Sequence, residues 1–150
     1  MPGTYSQILL HIVFSTKFRQ PFITADLAPR LYPYMGGIVR AERGVLYSIG
    51  GVGDHVHMYV QWRTDESVSN LMRTVKARSS LWIHETVPTL RAFAWQEGYA
   101  AFSVSKSQEE AVKRYIAHQA EHHQKEDFNT ELLRLLRKHE IEFDERYVLD

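Results

Sequence analysis

His55 and His57 stand two residues apart in the run His55-Val56-His57-Met58-Tyr59-Val60-Gln61-Trp62. The run follows a glycine-rich turn, Gly50-Gly51-Val52-Gly53-Asp54. Alternation of period two predicts a β-strand. Residues i and i+2 of a strand leave the same face. Both imidazoles therefore share a face with Tyr59 and Gln61, and Val56, Met58, Val60 and Trp62 share the other. Two neutral imidazoles side by side make half of a metal site, because the ring nitrogen is a good ligand. Two polar residues on a solvated face would give the same pattern.

A second group of reactive side chains follows later. Ser107-x-x-Glu110 has the form of a capping box and opens a predicted helix, EEAVKRYIAHQAEHH. Tyr115, His118, Gln119 and His122 fall at i, i+3, i+4 and i+7 and so share one face. Tyrosine can serve as a nucleophile. A glutamine amide oxygen can complete a hard-cation site begun by two imidazoles. A solvated helix face is the plain alternative. The pair His122-His123 reads as a polar helix end with no role.

These groups need elements to position them. Tyr5 to Ser15 reads as a strand that is apolar on both faces, as suits a central strand covered on both sides. Its His11 reads as a packed or hydrogen-bonded core histidine. Thr16 to Ala25 is a loop broken by Pro21 and begun by Lys17 and Arg19. Asp26 is the expected cap of a helix to about Arg43, with Leu27, Leu31, Met35 and Ile38 at helical spacing. Gly36-Gly37 predicts a bend or a close packing partner, and Gly44 a C-cap. Val45 to Ile49 form a second strand. Ser67 starts a helix whose stripe is Val68, Leu71, Met72, Val75 and Trp82. Arg73 and Lys76 project elsewhere on it, near Arg78 and Ser80. These basic groups, with Lys17 and Arg19, are either solvated or bound to phosphates. A strand follows from Tyr99, and the aromatics Phe93, Trp95, Tyr99 and Phe102 read as core. Ser103 to Gln108 is a polar connector. The tyrosine helix comes next, then an amphipathic helix from about Asn129 to His139, and a tail from Ile141 to Val148 that adds a strand or packs as coil. The order is strand, helix, strand, strand, helix, strand, helix, helix. It predicts an α+β fold: a ferredoxin-like split βαβ antiparallel sheet with additional C-terminal helices.

The totals narrow the function. At 150 residues one domain, 1–150, is expected. Eighteen lysines and arginines balance eighteen aspartates and glutamates, which argues against coating nucleic acid by bulk charge but leaves room for a local basic groove. No cysteine is present, so disulfides, thiolate catalysis and cysteine-ligated zinc are excluded. No apolar run has membrane-spanning length and no signal peptide is read, so a cytoplasmic protein with no membrane partner is expected.

Taken together, HIVFSTKFRQP, IGGVGDHVHMYV, VKARSSLW, FAWQEGYAAFSVS and RYIAHQAEHH resemble, in order, the single-tyrosine HUH transposases. These are the transposases of the smallest single-strand insertion sequences, including those associated with repetitive extragenic palindromes (REP). Two positions depart from the family pattern. Gly53 stands where proline is frequent, and His118 stands where asparagine is common. The resemblance implies a DNA endonuclease and strand transferase. His55, His57 and Gln119 would bind a divalent cation, Mg²⁺ or Mn²⁺, and Tyr115 would attack single-stranded DNA to leave a 5′-phosphotyrosine and a free 3′-hydroxyl. It also implies hairpin-bearing DNA as partner and a homodimer with active sites shared between subunits. Lys17, Arg19, Arg73 and Lys76 would hold the strand. A domesticated relative that binds hairpin DNA and cuts little or not at all is the alternative. A ferredoxin-like RNA-binding or structural domain is the third reading, and it lacks the paired aromatics of RNA-reading sheets.

Overall fold

In the computed structural model, which describes residues 3–148, four antiparallel strands run in the order β2-β3-β1-β4. They are β1 (Ile8–Ser15), β2 (Val45–Val52), β3 (His55–Trp62) and β4 (Ala100–Ser103). Helix α1 (Ala28–Ala41) connects β1 to β2, and α2 (Val68–Thr86) connects β3 to β4. This is the expected split βαβ sheet. Strand β1 is interior, as its two apolar faces require. One face carries Ile12 and Phe14, which pack with Val56, Met58, Val60 and Trp62 of β3 under α1 and α2. The other carries Leu9 and Val13, which meet the later helices.

Those later helices are α3 (Glu109–Ala117), the single turn α4 (Gln119–His122) and α5 (Phe128–Lys138). Helix α5 lays Phe128, Leu132, Leu135 and Leu136 against Val13 and Phe102. Asp127 caps it by accepting the Thr130 N–H at 2.8 Å. The tail after α5 forms no strand, and Phe143 and Val148 pack on the same cluster. No helix among the described residues is long and apolar enough to cross a membrane.

Local chemistry moves several expected boundaries. Thr24, not Asp26, caps the first helix region, its Oγ1 accepting the Leu27 N–H at 3.1 Å. Arg43 takes the left-handed backbone after α1 (φ 67°). Gly44 serves space instead, because a Cβ there would lie 2.7 Å from the Trp62 ring. Helix α1 runs unbroken through Gly36 and Gly37. Ser67 caps α2 as expected, accepting the Asn70 N–H at 3.1 Å. Ser107 caps nothing; its hydroxyl pairs with Ser105, and α3 begins without a side-chain cap.

The glycine-rich stretch is mostly strand. Strand β2 runs through Gly50 and Gly51 to Val52, leaving a turn at Gly53-Asp54. Gly50 pairs with His57 across the sheet. A Cβ on Gly50 would lie 2.4 Å from the Ile116 carbonyl oxygen, so the absence of a side chain lets α3 rest on the sheet beside the histidines. Gly50→Ala would have to lift that backbone, an overpacking that costs about 1–3 kcal/mol. Thermal unfolding is expected to shift down by roughly 5 °C for a chain this size. An unchanged transition would mean that α3 does not sit on Gly50.

Candidate active site

His55 and His57 leave β3 on the face turned toward α3, α4 and α5, and both are buried. The register aligns Ser15 with His55 and Val13 with His57. It also sets His11, opposite Tyr59, diagonally beside His57. His11 Nε2 and His57 Nδ1 are 2.8 Å apart. His55 Nδ1 donates to Asp54 Oδ1 at 2.7 Å. Each imidazole is thus held through Nδ1, and each Nε2 points to one shared place. Held outer nitrogens of this kind fix the orientation of ligating histidines.

The shared place is occupied by Glu131 of α5, whose side chain is buried. Its Oε1 accepts from His57 Nε2 at 3.0 Å, from His55 Nε2 at 3.2 Å and from His123 Nε2 at 2.9 Å. Its Oε2 accepts from the Tyr115 hydroxyl and, at 3.1 Å, from Gln119 Nε2. Gln119 is buried too, with Oε1 3.1 Å from His55 Nε2. The fold therefore brings His55, His57, Gln119 and Tyr115 together, and adds a carboxylate that the sequence reading lacked. Glu131 stands on the leucine stripe of α5, between Phe128 and Leu132 at helical spacing. A charge at a core position was the available signal. His123, set aside as a polar helix end, is also drawn in.

Tyr115 and Gln119 do not share one rigid helix. Helix α3 ends at Ala117, and α4 begins at Gln119. His118 breaks the run. Its Nδ1 donates to the Arg114 carbonyl at 2.7 Å and competes there with its own backbone N–H. Tyr59, the other tyrosine on the histidine face, donates its hydroxyl to Glu109 at 2.7 Å instead.

The charges follow from the contacts. Burial alone would lower the His55 pKa, but hydrogen bonds to Asp54 and Glu131 outweigh it and raise it to about 9. His57 is pushed down by burial more than Glu131 lifts it. Burial, with His57 alongside, lowers His11 to about 3, so its ring is neutral. Burial works against the Glu131 carboxylate, yet the bonds from His55 and His57 hold it well below the usual range. Tyr115 is raised by burial and by Glu131, against an opposing effect of Arg134.

The residues fit a divalent cation. Ligand atoms of His55, His57 and Glu131 all lie within 4.8 Å of one another. Two nitrogens, a carboxylate oxygen and the Gln119 amide oxygen converge where hydrogen bonds now link them. Mixed nitrogen and oxygen donors suit Mn²⁺ better than Mg²⁺, which prefers oxygen alone.

The four basic residues stand on other elements. Lys17 and Arg19 sit in a 3₁₀ turn after β1. Arg73 and Lys76 line a cavity of about 510 Å³ with Trp95 and Tyr99, on α2. Burial lowers Lys76 to about 8. Its ammonium donates to the carbonyls of Gln96, Glu97 and Gly98 at 2.9, 3.1 and 2.6 Å. Lys76 thereby holds the turn before β4.

The family model for IS200-like transposases matches residues 4–119, and the chain belongs to that family. It is 27% identical over 117 residues to the transposase for insertion sequence element IS200 of Salmonella typhimurium, covering 74% of this chain and 76% of that one. It is 20% identical over 122 residues to the ISDra2 transposase TnpA of Deinococcus radiodurans, covering 78% and 87%. The fold is similar to the crystal structure of a putative transposase from Deinococcus radiodurans, at a TM-score of 0.66 and 18% identity over 79% of this chain and 95% of that one. It is also similar to a REP-associated tyrosine transposase solved with a REP hairpin, at 0.60 and 14%, over 82% and 73%. The family match ends at Gln119, so His123, Glu131 and the rest of α5 lie beyond it.

An ion held at His55 Nε2 would displace the proton that this nitrogen shares with Glu131. Asp54 and Glu131 raise His55 to about 9 against its burial, whereas burial pushes His57 down. One proton then leaves per ion bound, so the Mn²⁺ dissociation constant is expected to fall about tenfold for each unit from pH 6 to pH 8. Calorimetric titration at three pH values checks this. A pH-independent constant would contradict it.

Proposed function

We propose that this transposase is metal-dependent and that it cleaves and rejoins single-stranded DNA near hairpins through a 5′-phosphotyrosine intermediate. The observation that carries the reading is the Tyr115 hydroxyl, which bonds the same carboxylate that joins His55 and His57. A nucleophile and a ligand set held by one buried group are what phosphodiester attack requires.

His55, His57 and Gln119, with Glu131, would hold Mg²⁺ or Mn²⁺. Such an ion supplies charge stabilisation at a phosphate oxygen. The chain's own groups do the rest. An ordinary tyrosine at pH 7 is handicapped by about 4 kcal/mol relative to its phenolate. Glu131 Oε2 accepts a hydrogen bond from the Tyr115 hydroxyl and orients it, and the hydroxyl proton leaves to water as the attack proceeds. Tyr115 Oη bonds to phosphorus as the P–O3′ bond breaks. The electron pair leaves on the 3′-oxygen, which gains a proton from water. The reverse step, by another 3′-hydroxyl, rejoins DNA with no outside energy source. Lys17, Arg19, Arg73 and Lys76 are assigned to the region that holds the strand, Lys76 through the turn it fixes. The related structure solved with a REP hairpin supports hairpin DNA as the partner. The family resemblance supports a homodimer with shared sites. In this chain Tyr115 also meets its own His57, with ring centroids 5.7 Å apart.

The test uses labelled hairpin-bearing single-stranded DNA with Mn²⁺ on a denaturing gel. Wild type is expected to give a retarded band that resists SDS and disappears with protease. Tyr115→Phe keeps the ring and removes the attacking oxygen, so it should bind DNA and give no band. EDTA should abolish the band as well. Mixing Tyr115→Phe with His57→Ala chains restores it if sites are shared between subunits. An adduct formed by Tyr115→Phe, or cleavage that leaves no protein on the 5′ end, would overturn the tyrosine mechanism. Hairpin binding without any adduct would make the protein a binding module.

A further inference from the structure

Tyr115 opens sideways into a cavity of about 480 Å³ between α3 and α5. Leu135 and the His139 ring, which stacks on the buried Phe102 at 4.2 Å between centroids, line it together with Arg134, Lys138, Ser103 and Ser105. Net charge over the chain is zero, so this local pairing of cations is not a by-product of a basic protein. Arg134 Nη2 donates to Tyr115 Oη at 2.9 Å, and the guanidinium lies 5.8 Å from the ring centroid. The same nitrogen bonds Glu126 Oε1 at 2.7 Å, which fixes the group in place. Both of these bonds use Nη2, and the Nε and Nη1 donors belong to the same half-exposed fork.

A phosphorus poised for attack sits roughly 3–3.5 Å from the attacking oxygen. Its non-bridging oxygens then fall within reach of a guanidinium already bonded to that oxygen. Guanidinium forks match phosphate oxygens in plane and spacing. Lys138 is one helical turn further along α5, about 6 Å away along the axis. That spacing suits the next phosphate of an extended strand.

We propose that Arg134 is a catalytic residue and that this cavity is a nucleotide subsite of the cut strand. Arg134 binds a non-bridging oxygen of the phosphate that Tyr115 attacks. Lys138 binds the neighbouring phosphate, and the nucleoside between them lies against the exposed His139 ring that stacks on Phe102. The inference rests on the cleavage reading above, and the bonds made and broken are the ones given there. Arg134 neither gains nor loses a proton. Both residues lie beyond the part of the chain that the family model covers, so the subsite is a feature of the C-terminal helix.

The experiment compares wild type, Arg134→Ala, Arg134→Lys and Lys138→Ala, each checked for native circular dichroism. Single-turnover cleavage is measured on a normal strand and on one with a methylphosphonate, which lacks the charged oxygen, at the scissile position. Arg134→Ala is expected to cut the normal strand about a hundredfold more slowly, with partial recovery in Arg134→Lys. On the methylphosphonate the deficit should shrink toward none, because the oxygen that Arg134 binds is gone. An equal deficit on both strands would overturn the proposal, since Arg134 would then act only by packing against Tyr115. Binding of a single-stranded oligonucleotide, followed by fluorescence anisotropy, is the readout that needs no cleavage. Each alanine variant should weaken it several-fold and reduce the salt slope by roughly 0.7. Unchanged affinity and slope in both would overturn the subsite even where wild type cuts. A wild type that binds through these two residues and never forms an adduct refutes the cleavage reading while supporting the subsite.

Discussion

A buried carboxylate must be compensated, and Glu131 is compensated five times. His55, His57 and His123 meet one of its oxygens, and Tyr115 and Gln119 meet the other. An unpaired charge at that depth would cost several kcal/mol. The cost makes the position of α5 conditional on β3, α3 and α4, and theirs on α5. Three separate stretches of chain are therefore locked to one group. Removing Glu131 leaves histidines and a tyrosine facing one another without a centre, while keeping it demands every partner or a cation in their stead. The same feature that threatens stability thus gathers the functional side chains.

The sheet explains why such a cluster is tolerated. Its α1–α2 side holds the main apolar core, including Ile12, Phe14, Met58 and Trp62. The opposite face carries His11, His55 and His57 between two smaller apolar clusters and is roofed by α3 to α5. Alternation along β1 and β3 assigns packing to one face and chemistry to the other. Gly50 then lets the tyrosine helix approach without a side chain in between.

Much of this was legible in the residues. The histidine face followed from period two, since residues two apart in a regular strand leave the same face. The order of elements predicted the sheet, because each helix and strand carries its own apolar period. What could not be read was set by distant partners. Glu131 meets His57 across 74 positions of sequence, and nothing local marks it except a charge on a leucine stripe. The break at His118 depends on its ring capturing the Arg114 carbonyl, which spacing does not encode. Ser107 looked like a cap and is not one, since its hydroxyl found Ser105 instead. Lys76 read as either a solvated or a phosphate-binding cation, and spacing gave no sign of the three carbonyls that converge on its ammonium.

The most direct measurement is an anomalous difference map from crystals of the protein soaked in Mn²⁺, recorded above the manganese edge. The arrangement around Glu131 predicts one strong peak within bonding distance of His55 Nε2, His57 Nε2 and a Glu131 oxygen, with Gln119 beside it. A peak that ignores Glu131, or no peak among these residues at saturating Mn²⁺, would contradict the assignment of this cluster as the metal-binding centre.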